Sequence, residues 1–280
     1  MVDPNFYTLY QGMHVPSFFF TPESLKYWED FTFRPDDVIV ATYPKSGTNW
    51  AMEMVPLVLS GGDSSLVDSV AAWERSAGIG HVYALGRDLE NKPSPRFFAT
   101  HYHYHALPKS FYQVKPKVIN VMRNPKDVLI SAFHFYNSVE FHSNPGTLTE
   151  FFHNFLQGNV AFNSWFEHVK GWLNAEDKSH ILYLTFEEML QDLPQVVRRT
   201  AEFLEKPLDE EQVDRIADRC LFKNMKKHNH KVTAGLDHSK FYRKGIAGDW
   251  KNHLSEEEVQ HFDSVYKEKM KDVDFKFPWD

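Results

Sequence analysis

The sequence predicts an α/β fold, a single domain over residues 1–280 built on a central, mostly parallel β-sheet flanked by helices. Three observations predict it. Short β-branched or apolar runs at 37–43, up to Thr100, at 117–122 and at 180–185 lack polar alternation, so both faces of each are buried. Stretches of helical length separate these runs, the alternation of a parallel sheet covered on both sides. A small-residue turn, Tyr43-Pro-Lys-Ser-Gly-Thr-Asn-Trp50, directly follows the first run and opens a helix, giving a P-loop-like strand–loop–helix.

The chain has 280 residues, with 42% hydrophobic and 15% aromatic side chains, enough to bury a sizeable core. Most of the rings are expected in core packing, and the excess suits an apolar ligand. A formal charge of −7 argues against nucleic-acid binding, which favours a basic face. Cys220 is the sole cysteine, which excludes an intrachain disulfide and favours a reducing compartment. The first residues lack the basic and apolar regions of a signal peptide, and no apolar run approaches the roughly 18 residues of a membrane span. A soluble, cytoplasmic protein is expected.

In order, Thr21 caps a short helix with Pro22 at its first position. The 37–43 strand and the loop lead into a helix stopped by Ser60-Gly61-Gly62, with Pro56 expected to kink it or end its hydrogen bonding early. The strands ending at Thr100 and Met122 follow, the latter running into a helix start at 123–131. Residues 148–174 read as helical, their aromatic residues at mixed three- and four-residue spacings. After the 180–185 strand come helices at 187–204 and 209–218. Residues 223–248, rich in Lys, His and Gly, read as a long loop of the functional or disordered kind. A final helix spans 255–271.

Ligands of such sheets bind beyond the carboxyl ends of the strands, and Lys45, His101 and Arg123 each follow a strand end. The loop suits an oxyanion. The first amides of a helix lack internal partners, Gly47 lets backbone approach, and Lys45 adds full charge. It is not a Walker A loop, because the lysine precedes the glycine and no second glycine exists. A bland turn with a chance lysine is the competing reading. Arg123 and Ser131 are spaced to meet one phosphate, and Phe241-Tyr-Arg-Lys-Gly-Ile-Ala-Gly-Asp-Trp250 offers a second cradle. In both cases incidental surface charge competes. His101, His103 and His105 alternate, so on a strand they would share one face and could form a zinc triad, though no nearby carboxylate or cysteine completes one.

Together Tyr43–Trp50, Arg123-Asn-Pro-Lys-Asp127 with Ser131, and Arg243-Lys-Gly-Ile-Ala-Gly-Asp-Trp-Lys251 resemble the cytosolic sulfotransferases. The similarity runs from about residue 10 to the Phe-Pro-Trp-Asp end. The Thr-Asn-Trp form of the first loop, Trp73-Glu-Arg-Ser76 and the Phe-Pro-Trp ending resemble the hydroxysteroid/alcohol branch. The resemblance implies a 3′-phosphoadenosine 5′-phosphosulfate donor, no metal, and a hydroxyl or amine acceptor of steroid, alcohol or phenol type. It implies that Lys45, Ser46, Gly47, Thr48 and Asn49 hold the 5′-phosphosulfate and that Trp50 and Phe222 face the adenine. Arg123, Ser131, Arg243, Lys244 and Gly245 would hold the 3′-phosphate, with Phe186, Cys220 and Phe241 also at nucleotide positions. His101, in Thr100-His101 with Pro108 seven residues on, matches the family's catalytic base, and Lys45 would neutralise charge on the leaving oxygen.

Trp73, His103, His105 and Phe135 are the candidates for the acceptor wall, with 226–242 as a closing lid. Three positions depart from the family's pattern: Ala99 for a lysine, Phe186 for a tyrosine, and Cys220 for a threonine or serine. The family's dimer motif would fall on 251–260, where Ser255, Glu256 and Gln260 replace its Thr, Val and Glu, so a monomer or an atypical dimer is expected. Two other classes are open: an ATP-dependent small-molecule kinase, which would need Mg²⁺ and a carboxylate ending a strand, and a non-catalytic nucleotide-binding protein.

Overall fold

The computed structural model describes residues 2–228 and 242–280. The N-terminal segment forms a hairpin of β1 (Tyr7–Tyr10) and β2 (Met13–Pro16), paired antiparallel across Gln11-Gly12. Both turn residues have positive φ, +50° and +80°, which is the conformation a tight two-residue hairpin demands. The polar–aromatic composition of the segment hid this hairpin. Helix α1 (Pro22–Glu29) follows as expected, closed by a reciprocal Thr21–Ser24 cap.

The four apolar runs become β3 (Val38–Thr42), β4 (Phe97–Thr100), β5 (Lys117–Met122) and β6 (Ile181–Thr185), all parallel, in the order β4-β3-β5-β6. Their register pairs Ala41 with Thr100, Thr42 with Val121, and Met122 with Thr185, so the carboxyl ends lie side by side. Strands β3 and β4 are buried throughout, and β5 and β6 in large part, because successive residues feed different cores. Ile39 and Ala41 join one cluster with Phe98 and Val118, whereas Val38 and Val40 join another with Phe97, Ala99 and Ile119.

Helix α2 (Thr48–Leu59) packs in the second cluster, and it does not stop at Pro56. The proline removes the amide that would bond the Met52 carbonyl. That carbonyl instead accepts the Arg75 guanidinium at 2.9 Å. Arg75 also pairs with buried Glu53 at 2.7 Å. It sits on α4 (Ala72–Arg75), which follows α3 (Ser65–Ser69); both are short helices that the sequence did not disclose. Helices α5 (Lys109–Val114) and α6 (Pro125–Tyr136) flank β5, and Asn124 caps α6 through the Lys126 amide.

The expected helix over 148–174 is two, α7 (Leu148–Gln157) and α8 (Trp165–Leu173). Gly158 ends the first at φ +76°, Phe162 and Asn163 also take positive φ, and Ser164 caps the second. The aromatic spacing belongs to both helices, and the break frees Val160 to Phe162 from helical geometry. Likewise 187–204 is divided into α9 (Phe186–Gln191) and α10 (Leu193–Phe203), because Asp192 caps a new start containing Pro194. Then come α11 (Glu210–Arg219), α12 (Phe222–His228) and α13 (Glu256–Met270). Helix α12 corrects the expectation of a loop beginning at 223. The remaining span of the expected lid, 229–241, lies outside the described residues. Among the described residues no helix is long and apolar enough to cross a membrane.

Candidate active site

Beyond the carboxyl ends of β3 to β6 lies a cavity with two differently built halves. In the first, the β3–α2 loop turns through Lys45 at φ +69° and Gly47 at φ +107°. The φ of Gly47 favours glycine, and a Cβ there would also press on the Phe186 ring at 3.2 Å. The Thr48 and Thr42 hydroxyls lie 2.7 Å apart, tying the helix start to the strand end. Lys45 reaches over the Phe135 ring at 3.9 Å. Burial, and then the charges of Arg123 and Arg243, push its pKa down to about 7.

Arg123 joins the two cradles that the sequence placed far apart. One guanidinium nitrogen donates to the Lys45 carbonyl at 3.0 Å and another to the Ile246 carbonyl at 3.1 Å. Its plane rests 4.0 Å from the Phe186 ring, which Trp50 meets edge-on at 5.3 Å. The second cradle is fixed by two carboxylates that lie within the motifs themselves. Asp127 accepts the Gly248 and Trp250 amides at 2.6 and 3.1 Å. Asp249 accepts Arg243 at 2.6 Å and Lys244 at 2.7 Å. Burial alone would raise the Asp249 carboxyl, but hydrogen bonds from Lys244, Arg243 and Asn252 outweigh it and hold the group well below the carboxylate range. A Cβ on Gly245 would fall 2.3 Å from the Phe222 ring, so this glycine lets loop and ring close together. Ser131 and Asn49 complete the wall on this side.

Several polar atoms here are buried without hydrogen-bond partners among the described residues: Ser46 Oγ, Trp50 Nε1, Arg123 Nε and Arg243 Nε. Buried orphan donors are costly, and in native proteins they mark a missing partner. Four cations, two glycine cradles and these donors fit a polyanion with more than one phosphate-like group. Asp127 and Asp249 are joined by a third carboxylate near Arg123, Glu187. Burial pushes its pKa up to about 7 while it accepts the Asn124 amide at 3.1 Å.

His101 stands where the halves meet. Its Nδ1 lies 2.8 Å from the Thr42 carbonyl, which can only accept, so the ring hydrogen sits on Nδ1 and Nε2 presents a lone pair. Burial chiefly, with the Lys45 charge, pushes its pKa down to about 4 against the opposing Thr42 bond. The second half is aromatic. Trp73 stacks on His81 at 4.8 Å and lies 5.5 Å from His101, while Phe162, from the break between α7 and α8, packs on His101 at 5.2 Å. Phe135, Tyr136 and His142 also line the cavity.

Of the expected acceptor residues, Trp73 and Phe135 line this cavity, and His103 and His105 do not. Strand β4 ends at Thr100 and residues 104–106 form a 3-10 turn, so the three histidines share no face. His103 is buried and donates to the Phe162 carbonyl at 2.8 Å; His105 is exposed beside the Gln11 carbonyl. Among the described residues no group of three or more His, Cys, Asp or Glu side chains has metal-holding geometry. Cys220 is fully buried away from the cavity wall, in the core with α2, and burial pushes its thiol far up. Phe241 lies outside the described residues. His81, Tyr83, Tyr136 and His142 line the cavity without having been anticipated. They come from segments with no motif.

The model of the sulfotransferase domain matches residues 35–274. Sulfotransferase 2B1 of Mus musculus is 40% identical over 98% of this chain and 83% of its own. The 3-beta-hydroxysteroid sulfotransferase of Cavia porcellus is 39% identical over 97% of each. A crystal structure of mouse sulfotransferase SULT7A1 complexed with PAP superposes with a TM-score of 0.83 at 29% identity, covering 96% of this chain and 95% of that one. With Lys45, His101, Arg123 and the 243–250 loop brought to one cavity at the strand ends, the chain belongs to the sulfotransferase family and is a sulfotransferase enzyme.

Proposed function

We propose that the enzyme transfers a sulfuryl group from 3′-phosphoadenosine 5′-phosphosulfate to a hydroxyl or amine of a small apolar acceptor, with His101 as general base. The observation that carries this reading is the His101 tautomer. Thr42 holds the ring hydrogen on Nδ1, leaving the Nε2 lone pair free to take a proton beside Lys45.

The nucleotide, when bound, supplies the activated sulfuryl group. Lys45, Ser46, Gly47, Thr48 and Asn49 hold its 5′ end, Trp50 and Phe222 its adenine, and Arg123, Ser131, Arg243, Lys244 and Gly245 its 3′-phosphate. The orphan donors Ser46 Oγ and Arg243 Nε support that assignment, as does the PAP bound to the mouse sulfotransferase of similar fold. His101 Nε2 accepts the acceptor's proton as its oxygen or nitrogen attacks in line. Lys45, its charge favoured by an adjacent anion, neutralises charge developing on the leaving oxygen. The aromatic wall excludes water and orients the acceptor's apolar body. No step calls for a metal.

Nothing in the dimer-motif segment favours self-association: Ser255 caps α13, and Glu256 and Gln260 are exposed. We therefore place the protein as a monomer or a dimer through another surface, in the cytoplasm. A dimer by light scattering at micromolar concentration, broken by changes in 251–260, overturns that.

Thermal unfolding with adenosine 3′,5′-bisphosphate against ADP, each with and without Mg²⁺, tests the donor, because binding to the native state raises stability by RT ln(1 + [L]/Kd). Stabilisation by the bisphosphate that is indifferent to Mg²⁺ is expected. A response to ADP with Mg²⁺ and none to the bisphosphate would overturn the reading in favour of a kinase-type site.

A further inference from the structure

His142 lines the same cavity as His101 and plays no part in the reaction described above. Its ring stacks on Tyr136 with centroids 4.0 Å apart and planes 7° from parallel, which fixes its orientation. Its Nδ1 lies 2.9 Å from the Tyr7 hydroxyl, supplied by the N-terminal hairpin. The Ser143 amide, which can only donate, reaches that same oxygen at 3.3 Å. With that amide on the Tyr7 oxygen, either Tyr7 donates to His142 Nδ1 at 2.9 Å, or it accepts from that nitrogen and donates to Ser143 Oγ at 3.4 Å; the first arrangement gives the hydroxyl the shorter donor bond. A neutral ring whose Nδ1 accepts carries its hydrogen on Nε2. Burial, reinforced by the Lys45 charge, keeps the ring neutral. Nε2 has no partner among the described residues and is not sealed off: the side chain forms part of the cavity wall and keeps 8% exposure.

With Tyr7 donating, the cavity holds two histidines of opposite polarity. His101 offers a lone pair and His142 offers an N–H, each set by a bond on its far side. We infer that His142 is a specificity-determining residue, donating Nε2–H to an oxygen of the acceptor other than the one sulfated. The favoured acceptors are then apolar molecules that carry a carbonyl or ether oxygen in addition to their nucleophilic group. An acceptor without that oxygen leaves a buried donor unmet, and sites built around such a donor discriminate strongly against analogues that cannot satisfy it. This inference rests on the acceptor reading proposed above.

The test measures binding, so that it stands apart from turnover. The full chain, saturated with adenosine 3′,5′-bisphosphate, is titrated by tryptophan fluorescence with two polycyclic alcohols of one carbon skeleton, one of which bears an added ring ketone. The wild type should bind the keto-alcohol about tenfold tighter, the worth of one good hydrogen bond. His142→Phe, which keeps the stack and removes the donor, should bring the ratio close to one, and His142→Gln, which keeps an N–H, should restore part of it. Tyr7→Phe releases the tautomer and should lower the ratio by a route that leaves His142 in place, which covers the case of a His142 variant that fails to melt cooperatively. No preference in the wild type, or a preference that survives both His142→Phe and Tyr7→Phe, overturns the inference. An equal loss for both ligands also overturns it and points to contact with the nucleotide instead. Sulfuryl transfer is scored separately: a His142-dependent preference without transfer leaves this inference standing and sinks the proposed function.

Discussion

The two halves of the cavity are built by different means. The anion half comes from loops at strand ends, where short motifs place cations and glycines on backbone that the sheet already positions. Its side chains are held by charge: Asp249 clamps Arg243 and Lys244, and Arg123 bridges the Lys45 and Ile246 carbonyls. The aromatic half is assembled from the N-terminal hairpin, the 79–85 segment, the end of α6 and the break before α8, and is held by ring packing and neutral histidines. One half is ionic and carried by short motifs; the other is uncharged and assembled from segments with no motif. The first can stay constant while the second varies, because they share little beyond His101 and α6.

The largest test of that separation is His101→Ala. Turnover should fall by about 10²–10⁴, the usual worth of a general base, while bisphosphate affinity by calorimetry changes little. Parallel losses in both would mean that the halves are coupled. Arg123→Ala should act in the opposite sense, weakening the bisphosphate by about 1.5–3 kcal/mol with a smaller effect on acceptor binding, since charge-assisted bonds are worth about that much.

The halves should also answer to opposite ends of the pH scale. Lys45, pushed down to about 7 in the free protein, regains its charge beside a bound anion, so binding takes up a proton. Bisphosphate affinity should therefore weaken by up to about tenfold per pH unit above 7, in step with one proton per site. On the aromatic side His101 is pushed down to about 4, and His81 and His142 to about 3, chiefly by burial. Unfolded histidine titrates near 6.5, so below that pH the unfolded chain binds more protons than the folded one. Stability is then lost as pH falls from about 6.5 toward 4, each histidine adding a slope of up to about 1.4 kcal/mol per pH unit. Denaturant unfolding at pH 7 and pH 5 measures it, and His142→Phe should flatten the dependence; an unchanged slope would mean that the ring is protonated when folded. The smallest effect is expected at His105→Ala, exposed and outside the cavity: within twofold in turnover and about 0.5 kcal/mol in stability.

The anion half was legible because each of its determinants lies in a short motif. Lys45, Gly47, Arg123 and Gly245 each sit where a strand end or a glycine turn makes a local demand, and the four strands announced themselves by unbroken apolar runs. The carboxylates behind the cations were less visible. Asp127 and Asp249 lie inside recognised stretches, but their roles require knowing that α6 and the 243–250 loop touch. The aromatic half was mostly illegible. Phe162 read as one more residue of a long amphipathic helix, and only the run of Gly158 and Ser164 hinted at the break that aims it at His101. Tyr7 and His142 are 135 positions apart, and no pattern in either segment signals their meeting. His103 and His105 show the converse, a regular spacing that counted for nothing once the strand ended at Thr100.

Helix α6 touches both compartments. Asp127 in its first turn anchors the anion loop, Ser131 faces the cavity midway, and Phe135 and Tyr136 in its last turn meet Lys45 and His142. Twelve residues at a rise of about 1.5 Å make it a spacer of roughly 18 Å between anchor and wall. A single inserted residue would swing the last turn by about 100° and carry both aromatic contacts off target. Its length is thus a gauge that divergence must respect, while the side chains of its final turn are open to exchange, so new acceptors can be accommodated by changing what the gauge carries at one end.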